Sequence, residues 1–311
     1  NETNIKTTDG GVSWNYVTSG TNSNLSSISV INNIICTAVG TDGTIIKSYD
    51  AGYTWFNLSG MTDFDIYSLE FTDHNNGIGV GLGGRIIQTN NGGNTWVLNS
   101  YTASTWALYS VTYPDSNNIW ASSHSGTIIH SSDAGNSWVL QNSGITTPLH
   151  SIYFINNQVG WAAGNGGVIL KTTDGGNNWI PQNSQTTRWL FSIYFLDENS
   201  GWAAGSYSTV IKTTNGGTNW QALTIPGIQF IEGIYFVNDN VGWLAGGSSG
   251  QYCIILKTTD GGDSWITQYD SDSSDFNSVY FKNENDGLVM GRYGQIWATT
   301  NGGNTWILQD D

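Results

Sequence analysis

Residues able to do chemistry are few in this chain, and their spacing limits what they could do. Arg85, Arg188 and Arg292 are the three guanidinium groups. Brought to one point, such groups would clamp a carboxylate through paired N–H bonds. In "YDSDSSDF" (269–276), Asp270, Asp272 and Asp275 stand at near-alternate positions, and a hard cation such as Ca²⁺ binds clustered carboxylate oxygens. The stretch lacks the glycine and closing glutamate of an EF-hand loop, so it reads as a solvated acidic loop before it reads as a metal site. His74, His124, His130 and His150 fall in different elements, without the spacing of a zinc pair. No Gly-x-Ser-x-Gly elbow or phosphate-binding loop is present. Acids paired for glycoside hydrolysis would need a spatial separation that sequence does not reveal. No catalytic residue is assigned and no cofactor is expected.

The totals narrow the partners. Nine Lys and Arg against 24 Asp and Glu leave a net charge of −15 over 311 residues. A surface that neutralises phosphates needs clustered Lys and Arg, which disfavours nucleic acid and anionic membrane. No window approaches the length of apolar chain that spans a bilayer, so no membrane insertion is expected. The chain starts at Asn1 rather than Met, without a signal peptide, and reads as a single domain (1–311) excised from a longer protein. Its Asn-, Ser-, Thr- and Gly-rich composition leads us to expect an exported protein: extracellular, at the cell surface or periplasmic. Cys36 and Cys253 fall at different places several repeat units apart and are expected as buried free thiols.

What must position the chemistry is a repeat. "KTTDGGNNW" (171–179) is one of eight variants of a motif, and the tryptophans of these copies, Trp14, Trp55, Trp96, Trp138, Trp179, Trp220, Trp265 and Trp306, are 41 to 45 residues apart. Each unit, for example "SIYFINNQVGWAAGNGGVILKTTDGGNNWIPQ" (151–182), holds four short β-type runs separated by Asn, Gly and Asp turn signals. None is long enough for a helix. Four antiparallel strands, A to D outward from an axis, make a β-propeller blade. The nine-residue motif becomes the tight C–D turn on the bottom face, and its tryptophan points into the seam between blades. Asp9, Asp50, Asn91, Asp133, Asp174, Asn215, Asp260 and Asn301 share one position in it. Asn keeps the acceptor oxygen and loses the charge, so the role is turn geometry rather than acid–base chemistry. Residues 1–18 supply only C and D. The expected fold is therefore all-β: seven full blades plus an N-terminal half blade, in a seven- or eight-position ring, with a sheet edge open to pairing.

Thr7-x-Asp9-x-Gly11-x-Ser13-Trp14 and its copies resemble the Asp-box (BNR) motif of sialidases and sortilins. The longer string "GWAAGNGGVILKTTDGGNNW" (160–179) is closer to the Ycf48/Hcf136-like propellers, a family known for photosystem II assembly factors and many exported bacterial proteins. This resemblance covers essentially the whole chain and implies a propeller acting as a binding or assembly module. The assembly factors are implied to use a basic patch; this chain has three arginines in all. Sialidases are implied to hold a substrate carboxylate with three arginines, but their Arg-Ile/Leu-Pro signature is absent: Arg85 precedes Ile86, Arg188 precedes Trp189 and Arg292 precedes Tyr293.

The bottom turns hardly vary, whereas the D–A crossings do: "SYTASTWALYS" (100–110), "NSQTTRWLFS" (183–192) and "IPGIQFIEG" (225–233). Variable loops on a constant frame are where binding resides. These crossings and the B–C loops form the top face, and residues just before the "S-[IV]-Y-F" core should ring the mouth of its channel. Trp106 and Trp189 read as stacking platforms, Tyr109, His150 and Glu232 as hydrogen-bonding groups and Arg188 as an anion holder. The sequence thus points to a non-enzymatic module for a protein or glycan ligand. The alternatives are a carbohydrate-active enzyme with acids on the top face and a structural module of a larger surface or adhesion protein.

Overall fold

The computed structural model describes residues 4–6, 15–17, 21, 23–31, 35–50, 54–58, 60, 62–99, 106–225, 230–248, 252–272, 276–281, 283–291 and 296–308. Among them are seven four-stranded antiparallel sheets and one two-stranded sheet. The four-stranded sheets start from strands A at Leu25–Val30, Ile66–Phe71, Leu108–Thr112, Leu149–Phe154, Leu190–Phe195, Phe230–Phe236 and Phe276–Phe281. In each, A pairs with B, B with C and C with D, as in Leu149–Phe154, Gly160–Gly164, Ile169–Thr172 and Ile180–Gln182. Successive A strands pack on one another from the first sheet to the last. This is a β-propeller of four-stranded antiparallel blades.

Aromatic stacking holds the seams. The B-strand tryptophan of one blade lies flat on the A-strand phenylalanine of the next: Trp120 on Phe154, Trp161 on Phe195, Trp202 on Phe236 and Trp243 on Phe281, with centroids 3.4–3.8 Å apart. The same phenylalanine meets the edge of its own blade's motif tryptophan, as Phe154 does with Trp179 and Phe195 with Trp220. The phenylalanine also covers the glycine opposite it. A Cβ at Gly160 or Gly201 would run into the ring of Phe154 or Phe195, which explains why "GW" recurs. Near the axis, Ser27, Ser68, Ser110 and Ser151 accept backbone N–H bonds from Leu69, Val111, Ile152 and Ile193 of the following blade at 3.2–3.4 Å.

The half blade needs correcting. Asn4–Lys6 and Asn15–Val17 pair only with each other; Asp9, Trp14 and the turn between these strands lie outside the described residues. Leu25 and Ile28 are 38% and 39% exposed, whereas their counterparts Leu149 and Ile152 are 0% and 3%. The first sheet therefore lacks the cover that an integral blade would give. The physical reason is that two three-residue strands, paired among the described residues only with each other, make a hairpin too short to be stable by itself. Cys36 and Cys253 are buried free thiols.

Candidate functional site

The two faces are built from different turns. On the bottom, Asp174 Oδ1 accepts from Thr172 Oγ1 (2.9 Å) and from the Asn178 backbone N–H (2.9 Å), while Oδ2 accepts from Asn178 Nδ2 (2.7 Å). The Thr172 hydroxyl oxygen in turn accepts from Gly176 N–H. Asp50, Asp133 and Asp260 repeat the arrangement. Asn91, Asn215 and Asn301 keep the backbone bond, and Asn91 and Asn301 turn Nδ2 into a donor toward Thr95 and Thr305. Hydrogen bonds from Ser137 and Asn178 hold the carboxyls of Asp133 and Asp174 below the usual range, and Ser264 brings that of Asp260 to about 2. Both carboxyl oxygens of Asp133, Asp174 and Asp260 are already accepting bonds. The seam lysines are equally engaged: Lys171 and Lys257 donate to Gly216 O and Gly302 O of the next blade's turn (2.8 and 2.7 Å).

On the top, the B–C turn bonds to the start of strand A, as in Asn165 N–H to Pro148 O and Ser206 N–H to Trp189 O, both 2.9 Å. Strand A then carries a bulge. The register of Leu149–Phe154 against Gly160–Gly164 slips between Leu149 and Ser151, and the slip recurs in all the A strands. A bulge re-aims the side chain at the extra residue. That residue is Ser26, Tyr67, Tyr109, His150, Phe191 or Glu232 in the first six blades. The frame is uniform here, and its cargo is not.

Four of these positions and their neighbours form a continuous aromatic arc. Tyr67 meets Tyr109 (6.0 Å between centroids), Tyr109 stacks on His150 (5.3 Å), His150 meets Phe191 edge-on (5.5 Å), and Phe191 meets Phe230 (6.4 Å). Outside the arc, Trp106 stacks on His124 (5.0 Å), Trp189 stands edge-on to Phe191, and Tyr207 leans on Phe230. The Arg188 guanidinium lies 4.2 Å over the Tyr207 ring. Trp106, Trp189 and Tyr207 are 53%, 52% and 65% exposed. His150 Nε2 lies 2.7 Å from Asn165 Oδ1, which assigns the ring proton to Nε2. Burial lowers the His150 pKa, keeping the ring neutral. Neutral, partly exposed rings beside polar tips suit stacking and hydrogen bonding to a ligand.

Of the residues expected at this mouth, Tyr109, His150, Trp106, Trp189 and Arg188 fall in this one connected set. Glu232 occupies the next bulge position, partly buried. Phe64 and Phe276, also near the predicted mouth, are 5% and 0% exposed and belong to the core. Arg85 pairs with Asp63 and lies over Phe64, and Arg292 is outside the described residues. Asp270 and Asp272 are exposed and Asp275 is outside the described residues; among the described residues no three His, Cys, Asp or Glu side chains converge as a metal site. Sequence reasoning missed His124 and Tyr207. The signal for Tyr207 was available: "GSYS" (205–208) stands where the preceding unit has "GNGG" (164–167).

The description Photosynthesis system II assembly factor YCF48 belongs to the family model that matches this chain, over residues 97–173, 138–228, 172–266 and 218–309. The sequence matches no curated protein. Among solved structures, one described as YCF48 bound to D1 peptide is similar with a TM-score of 0.73 and 20% identity, covering 90% of this chain and 94% of that one. YCF48 from Cyanidioschyzon merolae is similar at 0.72 and 18%, covering 90% and 96%. An ancestral GH74 enzyme gives 0.67 and 17%, covering 92% of this chain but 46% of that one.

Proposed function

This chain belongs to the Photosynthesis system II assembly factor YCF48 family, and from that premise we propose that it is a non-enzymatic binding or assembly module whose top-face mouth takes an extended peptide segment of a partner protein. The observation that carries the reading is the arc from Tyr67 through Tyr109, His150 and Phe191 to Phe230, flanked by exposed Trp106, Trp189 and Tyr207. It spans five consecutive blades, longer than one small ligand needs. Its polar groups are few and fixed, as a surface that reads side chains at intervals requires. A YCF48 protein solved with D1 peptide supports a peptide as the class of ligand. Among the described residues, the Asp-box acids and seam lysines of the bottom face are engaged in turns and seams, as Asp174 and Lys171 are. The module acts outside the cytoplasm, in keeping with its polar, Lys-poor composition; no helix among the described residues is long and apolar enough to cross a membrane.

The test is the Trp106→Ala/Trp189→Ala double variant, probed on peptide and glycan arrays beside the parent chain. The expected result is peptide binding by the parent, lost or weakened about tenfold or more in the variant, with an unchanged melting temperature. A variant that folds normally and keeps every ligand of the parent removes the mouth from consideration. Glycan binding without peptide binding, or hydrolysis of the arrayed glycans, transfers the reading to a carbohydrate-directed protein.

A further inference from the structure

One corner of the mouth differs from the rest. In the B–C turns of other blades, paired positive φ angles fall at Asp42–Gly43, Gly83–Gly84 and Gly166–Gly167; here they fall at Tyr207 (φ 55°) and Ser208 (φ 57°). Two consecutive L-residues in the left-handed region persist only where their surroundings hold them. The holding bonds are Ser206 N–H to Trp189 O (2.9 Å), Trp189 N–H to Ser206 Oγ (3.1 Å) and a β-bridge from Ser206 to Phe230 of the next blade.

What the strained turn presents is a 65% exposed tyrosine ring with the exposed Arg188 guanidinium stacked on its face, beside the 52% exposed Trp189. The ion pair formed by the described residues is that of Arg85 with Asp63; Arg188 has no carboxylate within ion-pairing distance among them. Lys171 and Lys257 also lack an acid, but their ammonium groups donate to carbonyls of the next blade's turn, whereas the Arg188 guanidinium stands exposed on the Tyr207 ring.

We propose that Arg188, Trp189 and Tyr207 form a carboxylate subsite within the peptide site. It takes an Asp or Glu side chain or a C-terminal carboxylate, with the neighbouring apolar side chain of the ligand against Trp189. This rests on the peptide reading above. Stacking on Tyr207 fixes the plane of the guanidinium, so its edge N–H groups meet both oxygens of a carboxylate as a parallel pair. The excess of acid over the whole chain repels an anionic ligand elsewhere, so an acidic peptide is directed to this cation.

The test uses the whole chain and matched short peptides carrying Phe beside one acidic position. Each is made with a free C terminus, as the C-terminal amide, with Asp or Glu, and with Asn or Gln in its place. Peptides holding a carboxylate should bind about tenfold more tightly than the carboxylate-free member. Whether the gain follows the side chain or the terminus identifies the source. Arg188→Gln should erase the difference, Arg188→Lys should retain a small part of it, and Tyr207→Gly should reduce it without lowering the melting temperature. Equal affinity for carboxylate and carboxylate-free peptides in the parent overturns the subsite and leaves the peptide reading standing. A preference that survives Arg188→Gln overturns the role of Arg188. Binding by none of the peptides overturns the subsite together with the peptide reading.

Discussion

The Asp-box turn at Asp174 and the B–C turn at Tyr207 both need two consecutive residues of positive φ, and they meet the need differently. On the bottom face, glycine takes both places at Gly175–Gly176, Gly216–Gly217, Gly261–Gly262 and Gly302–Gly303. On the top face, blade by blade, the same geometry is filled by Asp-Gly, Gly-Gly and finally Tyr-Ser. A position where relaxed residues recur is serving the fold. A position where, among the described blades, one alone puts two consecutive L-residues into that geometry and exposes a large ring is serving something else. The seams give the same contrast: the Trp-on-Phe stack repeats in four successive blades, whereas the bulge position runs Ser, Tyr, Tyr, His, Phe, Glu over the first six blades.

The comparison is broken most forcefully at a seam. Trp161 is fully buried, stacked on Phe195, and donates through Nε1 to Gly216 O (3.2 Å). Trp161→Ala should destabilise the fold by about 3–5 kcal/mol, read by chemical denaturation, through the cavity and the abandoned carbonyl. Mouth truncations such as Trp106→Ala should shift stability by less than about 1 kcal/mol. Similar losses at both places would erase the distinction drawn between frame and site.

The next effect is one of pH. Glu70 lies at the A-strand position held by Tyr153, Tyr194 and Tyr235 in later blades, and burial raises its pKa to about 7 despite a bond from the Tyr113 backbone. A folded pKa above the unfolded one means that folding is favoured by the protonated form. That stability is complete below about pH 4.5 and is lost as pH rises to about 7, by up to about 3 kcal/mol, and less where solvent reaches the group. Glu70→Gln should flatten this part of the stability–pH curve. The carboxyls of Asp133, Asp174 and Asp260 act with the opposite sign: their pKa values are depressed, so their contribution holds above about pH 4 and falls as pH drops toward 2. An unchanged slope between pH 4.5 and 7 in Glu70→Gln would remove Glu70 as its cause.

Much of the frame was legible because spacing encodes it. A tryptophan every 41 to 45 residues, with four β-type runs between, leaves a propeller as the solution, and Asn in place of Asp at Asn91, Asn215 and Asn301 exposed the turn role of that position. The arc was legible in part: Trp106 and Trp189 stood out as departures from the repeat. His124 did not, because its meaning depends on the ring it stacks on, and Tyr207, visible as "GSYS" in place of "GNGG", was passed over because its exposure depends on the positive φ of its turn. The half blade was over-read. A complete turn motif in residues 6–14 identifies a hairpin, but not the inner strands that would seat it in the ring.

Relieving strain on each face gives the smallest effects and the finest discrimination. Ala134 in the Asp-box turn also carries a positive φ, 57°, close to the 55° of Tyr207. Ala134→Gly and Tyr207→Gly should each stabilise the fold by about 0.5–1 kcal/mol, since the relief of a left-handed L-residue is partly offset by the greater freedom of glycine in the unfolded chain. Ala134 sits where the turn serves only itself, with Ser137 N–H and Oγ–H donating to the Asp133 carboxylate, so its variant should bind peptide as the parent does. Tyr207→Gly should gain the same stability and lose affinity, because it removes the ring beneath Arg188. Melting curves and peptide titrations on the two variants read both quantities. Matching stabilities with diverging affinities would show strain retained for function on the top face and merely tolerated on the bottom. Matching affinities would mean that Tyr207 is as incidental as Ala134, and the contrast between the two turns would then carry no functional weight.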